Sequence, residues 1–311
     1  MNSINTTLAK YTDGSIDKST FIKSMYEDHH AALFDYADYL TRTNIKKIEI
    51  EDGRVIMTSR DRGIRIACAY GDFRIAPIEM LNFFDYEKNE SIMMENLVSD
   101  GDNYFDIGAN IGWYSINIAV SRRAAKIFSF EPIPKTYSHL KRNIEINSVP
   151  NVKIHNFGFS SKAGEFPFYY YPEGSGNASS ANVTGRTDIE TVQCKVKTLD
   201  EYITETCTRV DFIKCDVEGA ELLVFQGAIK TIIKDKPIVF SEILRKWSVK
   251  FNYNPNEIFD LFRQYGYRVF TAIDNNLLEF GNMTESTTET NFFFLHSEKH
   301  LHQISRFLKN V

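Results

Sequence analysis

Tyr104–Ser115, YFDIGANIGWYS, is the stretch that decides how the rest of the chain reads. An apolar strand ends on Asp106, a Gly-rich turn follows, and a helix begins at about Gly112. A chain takes this path when backbone must come close to a small ligand. The pattern then repeats. Lys126–Glu131, Val152–Phe157, Val210–Asp216 and Pro237–Ile243 read as further strands, with helices over Pro134–Asn147 and from about Ala220. Strands alternating with helices predict βαβ units, and so an α/β fold with a doubly wound, Rossmann-like, mostly parallel sheet. After a helix at Asn256–Tyr265, Tyr267–Thr271 and Thr290–His296 read as strands joined through Asp274-Asn275-Asn276 turn chemistry. That connection predicts an antiparallel last strand, and a helix over His300–Lys309 closes the chain.

Upstream the pattern differs. Asp17–Thr43 has helical spacing with a break expected near His29-His30, and Asp17 or Ser19 is placed to cap it. Ile45–Ser59 alternates around Asp52-Gly53 as a hairpin does. A strand at Ile64–Ala69 and a helix over 76–99 follow. Residues 1–95 are therefore expected to form an N-terminal α+β accessory region, a substrate cap or a homo-oligomer interface. Residues 96–311 are expected to form the ligand-binding domain.

Bulk composition sets the class. The 311 residues are 43% hydrophobic and 25% charged, enough apolar material for a full core. A net charge of −5 lacks the field of a general nucleic-acid binder. The four cysteines have no C-x-x-C spacing, so they suggest free thiols in a reducing compartment. No run approaches 18 apolar residues and the N-terminus is polar, so the expectation is a cytoplasmic protein with no membrane span.

The turn itself narrows the ligand. A dinucleotide fingerprint needs glycine at its middle position so that backbone can approach a pyrophosphate. Here the run is Gly108-Ala109-Asn110-Ile111-Gly112, and Asp106 adds a negative charge. Both features disfavour a diphosphate and suit a ligand bearing an ammonium and a sulfonium. Glu131 ends the second strand 19 residues after Gly112, where a carboxylate can accept from both hydroxyls of a ribose. S-adenosylmethionine combines a ribose with those cations.

Three motifs, DIGANIG, FEP and IKCDVEGAE (Ile213–Glu221), resemble those of the FkbM-type methyltransferases, class I enzymes that use S-adenosylmethionine. They occur in the family's order, and EKNESIMMENLVSDGD before them resembles its lead-in. The resemblance covers about Glu90–Arg268. It implies that Asp106, Gly108, Asn110 and Gly112 surround the methionine part of the cofactor and that Glu131 holds its ribose. It also places the adenine near Asn156-Phe157-Gly158, and Asp216 beside the methyl group.

Transfer to a hydroxyl needs help with its proton. Lys214, Asp216 and Glu218 alternate at the end of a strand, and Glu242 ends the next, so Asp216, Glu218 and Glu242 are the catalytic candidates. The alternative for Glu218 and Glu221 is to cap the following helix. His155 has the setting of a packed strand histidine. Arg245 and Trp247 face either the substrate or solvent. Tyr171–Asp188 reads as a lid or as a hairpin tip. A divalent metal is left open, with no ligand cluster in the sequence requiring one.

The activity expected is O-methylation of a small-molecule or glycan hydroxyl, on a carbohydrate or a secondary metabolite. The alternatives are a nucleic-acid methyltransferase, disfavoured by charge, and a nicotinamide-dependent sugar oxidoreductase, disfavoured by Asn110 and Asp106.

Overall fold

The computed structural model describes residues 3–171 and 178–309. Ser3 caps helix α1 (Ile4–Thr12) and Asp17 caps α2 (Lys18–Met25), each side chain accepting a backbone N–H of the first turn. The helical path does not break at His29-His30. It widens into one π turn (Tyr26–His30) and continues as α3 (Ala31–Tyr39). Strands β1 (Ile45–Glu51) and β2 (Arg54–Ser59) form the expected hairpin, with Asp52 and Gly53 at φ 49° and 71°.

Strand β3 (Arg65–Cys68) pairs with β2 and leaves its other edge towards helix α7 (Pro134–Asn147). There Asn147 Oδ1 accepts from Arg65 N at 2.8 Å, and Asn143 Oδ1 accepts from Ala67 N at 3.0 Å. Side-chain amides thus satisfy a strand edge that would otherwise be open. The helix expected over 76–99 is two, α4 (Ala76–Phe83) and α5 (Lys88–Leu97). Phe84 and Glu87, at φ 72° and 40°, turn the chain between them.

The division at residue 95 falls inside α5. Ile45, Met57, Ile66 and Met80 share one buried cluster with Tyr104, Trp113 and Ile116, so the accessory strands pack into the main core.

The central sheet comprises β4 (Asn103–Ile107), β5 (Lys126–Phe130), β6 (Val152–His155), β10 (Phe212–Cys215), β11 (Ile238–Glu242), β12 (Tyr267–Ile273), β13 (Asn276–Glu279) and β14 (Asn291–His296). Their order is β13-β12-β14-β11-β10-β4-β5-β6. The five strands from β11 to β6 are parallel, and β14 runs antiparallel between β11 and β12. The doubly wound sheet with an antiparallel last strand is as expected. The Asp274-Asn275 turn, however, makes a β12–β13 hairpin, and β14 returns to fill the gap beside β11.

Between β6 and β10 the chain forms a small separate sheet, β7 (Gly158–Phe159), β8 (Gly164–Tyr170) and β9 (Glu190–Lys197), which the alternation of strands and helices had not suggested. Helices α6 (Trp113–Ser121), α8 (Leu199–Thr206), α9 (Glu221–Gln226), α10 (Ile229–Asp235), α11 (Arg245–Ser248), α12 (Asn256–Gln264) and α13 (Leu301–Phe307) complete the described elements. No helix among the described residues is long and apolar enough to cross a membrane. Strand order reverses between β4 and β10, and at such a reversal a crevice opens beyond the strand ends.

Candidate active site

Asp106 is wholly buried at the end of β4. Its Oδ2 accepts from Ser115 Oγ at 2.5 Å, and its Oδ1 lies 3.3 Å from Lys214 Nζ. Lys214, from β10, also donates to Gly108 O at 2.7 Å and stands 3.4 Å from Asp216 Oδ2. Burial works against the charged lysine, but Asp106 and then Asp216 outweigh it and hold the ammonium above its ordinary pKa. The Asp106 charge is therefore already neutralised, and the side chain does not line the crevice. This corrects the expectation that Asp106 meets the cofactor. It ties β4 to β10 instead.

The glycines divide in the same way. At Gly108 (φ 76°) a Cβ would lie 1.8 Å from Asp216 O, so only glycine lets the two turns touch. At Gly112 (φ 93°) a Cβ would lie 2.6 Å from Leu140 Cδ1. Gly112 thus serves helix packing and lies outside the crevice wall, which Gly108 and Asn110 do line. Asn110 takes the left-handed conformation (φ 47°), where asparagine is better tolerated than most residues. Its N–H donates to Glu131 Oε2 at 3.0 Å.

Glu131 is 6% exposed and lines the crevice. Its Oε1 accepts from Ile133 N at 3.0 Å. Burial pushes its carboxyl up to about 7, against the pull of those two backbone donors. Each oxygen keeps lone-pair capacity for another donor, as a ribose diol requires. Asn156 and Phe157 are not in the wall. Asn156 Nδ2 donates to Glu131 O and Pro132 O at 2.9 and 3.0 Å, steadying that turn. Phe157 belongs to an aromatic cluster, its ring 5.5 Å from that of Phe130 and 5.8 Å from that of Tyr202. The residues that open towards the crevice here are Gly158, Phe159, Phe166 and Val196, because β6 stops at His155 and the small sheet takes over.

The crevice comprises a cavity of about 350 Å³ and an adjoining apolar slot of about 120 Å³. Gly108, Pro132, Phe168 and Val217 line both.

In the wall of the larger cavity three carboxylates gather. Asp216 follows β10, Glu242 ends β11, and Glu218 projects from a left-handed turn residue (φ 55°). One oxygen from each lies within 4.8 Å of the other two. Burial, and then the charge of Asp216, drives Glu218 and Glu242 well above the ordinary carboxylate pKa. Glu218 Oε2 is shielded from solvent with no hydrogen-bond partner among the described residues. The Trp247 indole N–H favours its charged form without reaching hydrogen-bond geometry.

Neither Glu218 nor Glu221 caps α9, whose N-cap residue is Ala220; Glu221 braces the turn before the helix. Its Oε1 accepts from Val217 N and Gly219 N at 3.1 and 3.0 Å, and Tyr253 Oη donates to its Oε2 at 3.2 Å. The two acids that the sequence left as joint cap candidates are thus separated, and Glu218 faces the cavity.

Glu87, Tyr86, Arg74 and Glu79 of the accessory region also line the cavity. Glu87 accepts from the Tyr114 hydroxyl and, at 3.2 Å, from Asn291 Nδ2. Its only sequence signal was its place at the head of the EKNES lead-in.

The remaining candidates separate clearly. His155 Nε2 lies 3.2 Å from Tyr202 Oη, and burial brings the ring down to about 4, a packed neutral histidine. Arg245 donates to the carbonyls of Thr284 and Glu285, whereas Trp247 lines the cavity with Lys246 over its ring. The centre of the expected lid, residues 172–177, lies outside the described residues. Beside it, Ala178 lines the cavity and Ser179 Oγ donates to Glu218 O at 2.8 Å.

The chain is similar to "Methyltransferase 1" of Beauveria bassiana, 30% identical over 140 residues, covering 39% of this chain and 56% of that protein. It is 32% identical over 151 residues to "Methyltransferase sdnD" of Sordaria araneosa, covering 39% and 58%. It is 28% identical over 138 residues to "Hexuronic acid methyltransferase AglP" of Haloferax volcanii, covering 44% and 53%. The match thus spans little more than half the length of each relative. The description "Methyltransferase FkbM domain" matches residues 106–269, more than half of the chain, taking in the turn after β4, Glu131 and the carboxylate cluster; the protein belongs to the FkbM methyltransferase family.

Proposed function

We propose that the protein is an S-adenosylmethionine-dependent O-methyltransferase acting on a hydroxyl of a sugar, in a glycan or its precursor, or of a secondary metabolite. The observation that carries this reading is the sequence of surfaces along one crevice. An apolar slot (Phe159, Phe166, Val196) suits an adenine, Glu131 in the adjoining cavity suits a ribose, and a set of carboxylates lines that same cavity. S-adenosylmethionine would supply the methyl group as its C–S bond breaks, the electron pair remaining on sulfur. Glu131 would accept from the ribose hydroxyls. Asp216, Glu87 and their neighbours would face the cofactor's positive charges, whereas Asp106 is buried against Lys214.

The acceptor's proton needs a base. Glu218 and Glu242, raised above ordinary carboxylates by burial, are the stronger bases of the cavity. A sugar acceptor draws support from the hexuronic acid named for one relative.

Calorimetric titration with S-adenosylhomocysteine, with NADH in parallel, tests the cofactor. Micromolar binding of the first and none of the second is expected. Binding of NADH alone would mean that the turn after β4 has been misread.

A further inference from the structure

We propose that Asp216, Glu218 and Glu242 form a divalent-cation site in the acceptor end of the crevice. The proposal depends on the methyltransferase reading only for what the cation would do, not for its binding.

Three observations carry it. The first is convergence. Oxygens from three separate places, the end of β10, the turn after it and the end of β11, lie within 4.8 Å of one another. Oxygens that close can share one centre at about the 2.0–2.6 Å typical of hard cations. The second is an orphan acceptor. Glu218 Oε2 is buried, faces the cavity and takes no hydrogen bond from any described residue. A buried carboxylate oxygen left without a donor is costly unless a cation completes it. Glu221 next to it shows the contrast, with Val217 N, Gly219 N and Tyr253 Oη all supplied.

The third is the shortage of compensating charge. Lys214 is shared between Asp106 and Asp216 and also held by Gly108 O. Lys246, over the Trp247 ring, reaches Glu218 through its field alone, and Arg74 pairs with Glu79. Glu87 adds a fourth acid to the same wall.

An all-oxygen set of this kind suits Mg²⁺ or Mn²⁺ rather than softer metals. Such an ion would bind two neighbouring oxygens of the acceptor, a vicinal diol or a hydroxyl beside a carboxylate. It would also lower the pKa of the hydroxyl to be methylated.

The test is titration of chelator-treated full-length protein with MnCl2, with and without S-adenosylhomocysteine. Free Mn²⁺ is followed by its paramagnetic resonance signal, and thermal unfolding is recorded alongside. One Mn²⁺ per chain and a Mn²⁺-dependent rise in Tm are expected. Glu242→Gln and Glu218→Gln should each weaken Mn²⁺ binding at least tenfold. Each should still unfold in one cooperative transition without metal. That transition would show that the variants fold.

Glu131→Ala serves as the control, losing S-adenosylhomocysteine while keeping Mn²⁺. Wild-type protein that binds S-adenosylhomocysteine but no Mn²⁺ in either condition overturns the cation site and spares the cofactor reading. Mn²⁺ bound without S-adenosylhomocysteine does the reverse. Mn²⁺ bound equally by wild type and both glutamine variants places the ion elsewhere and also overturns the proposal.

Discussion

Asp106 and Asp216 stand at the carboxyl ends of neighbouring parallel strands, and Lys214 reaches both, at 3.3 and 3.4 Å. Their surroundings differ. The Asp106 side chain is 0% exposed with Ser115 and Lys214 bound to it, whereas Asp216 is 29% exposed at the edge of a cavity it shares with Glu218, Glu242 and Glu87. One carboxylate has spent its charge on holding two strands together. The others crowd one another in the cavity, with Lys214 shared between Asp216 and Asp106. Two acids with the same position on the sheet thus have different surroundings, and the difference lies in how far each is enclosed.

The strongest way to break this comparison is to remove the shared lysine. Lys214→Met leaves Asp106 buried and unpaired and should cost about 3–5 kcal/mol of stability in urea unfolding. Asp106→Asn added to it should restore part of that loss. A cost below about 1 kcal/mol, the range of exposed pairs, would show that β4 and β10 do not depend on the bridge.

Next in size is the ribose seat. Glu131→Ala should weaken S-adenosylhomocysteine binding by about 1.5–3 kcal/mol, roughly ten- to hundredfold, measured by calorimetry. Unchanged affinity would return the cofactor's charge and ribose contacts to other residues.

A pH series separates Glu221, buried in the turn before α9, from the cavity acids. Burial raises Glu221 to about 7 from an ordinary 4.5. The folded state therefore binds the proton more tightly than the unfolded state does. Its stabilising contribution is complete below about 4.5 and declines as pH rises through 7, by on the order of 3 kcal/mol. Urea midpoints of Glu221→Gln between pH 5 and 8 should fall less steeply than those of wild type. Glu131, raised in the same direction, keeps part of the slope. Identical slopes would mean that Glu221 titrates normally.

The smallest effect sharpens the map of the cofactor pocket. Asn156→Ala removes only the brace on the Glu131 and Pro132 carbonyls. It should cost S-adenosylhomocysteine affinity less than about 1 kcal/mol. A loss as large as that of Glu131→Ala would restore Asn156 to the direct cofactor contact its sequence position suggests.

Much of the molecule was legible before the structure. The strand–helix alternation predicts the sheet, because periodicity is a local property and βαβ units leave few arrangements. Helix α7 runs over Pro134–Asn147, with the proline in its first turn where its missing N–H costs nothing. The small sheet after β6 was not legible, since its strands are short and make a layer apart from the repeating units. Nor was the break between α4 and α5. Phe84 and Glu87 are not residues that announce left-handed backbone, and their conformation answers to packing.

The site divides in the same way. Gly108, Asn110, Glu131 and the acids after β10 are readable, because a turn, a strand end and their spacing are written along the chain. Whether an acid is spent or free is not written there. The sequence by itself determined a doubly wound sheet, a Gly-rich turn after β4 and an acid at the end of β5. Only the tertiary structure decided that Asp106 belongs to Lys214, that Glu221 braces the turn before α9, and that Glu87 joins Asp216, Glu218 and Glu242 in one cavity. The physical reason is that charge compensation is a property of neighbours in space, and these neighbours come from strands and turns far apart along the chain.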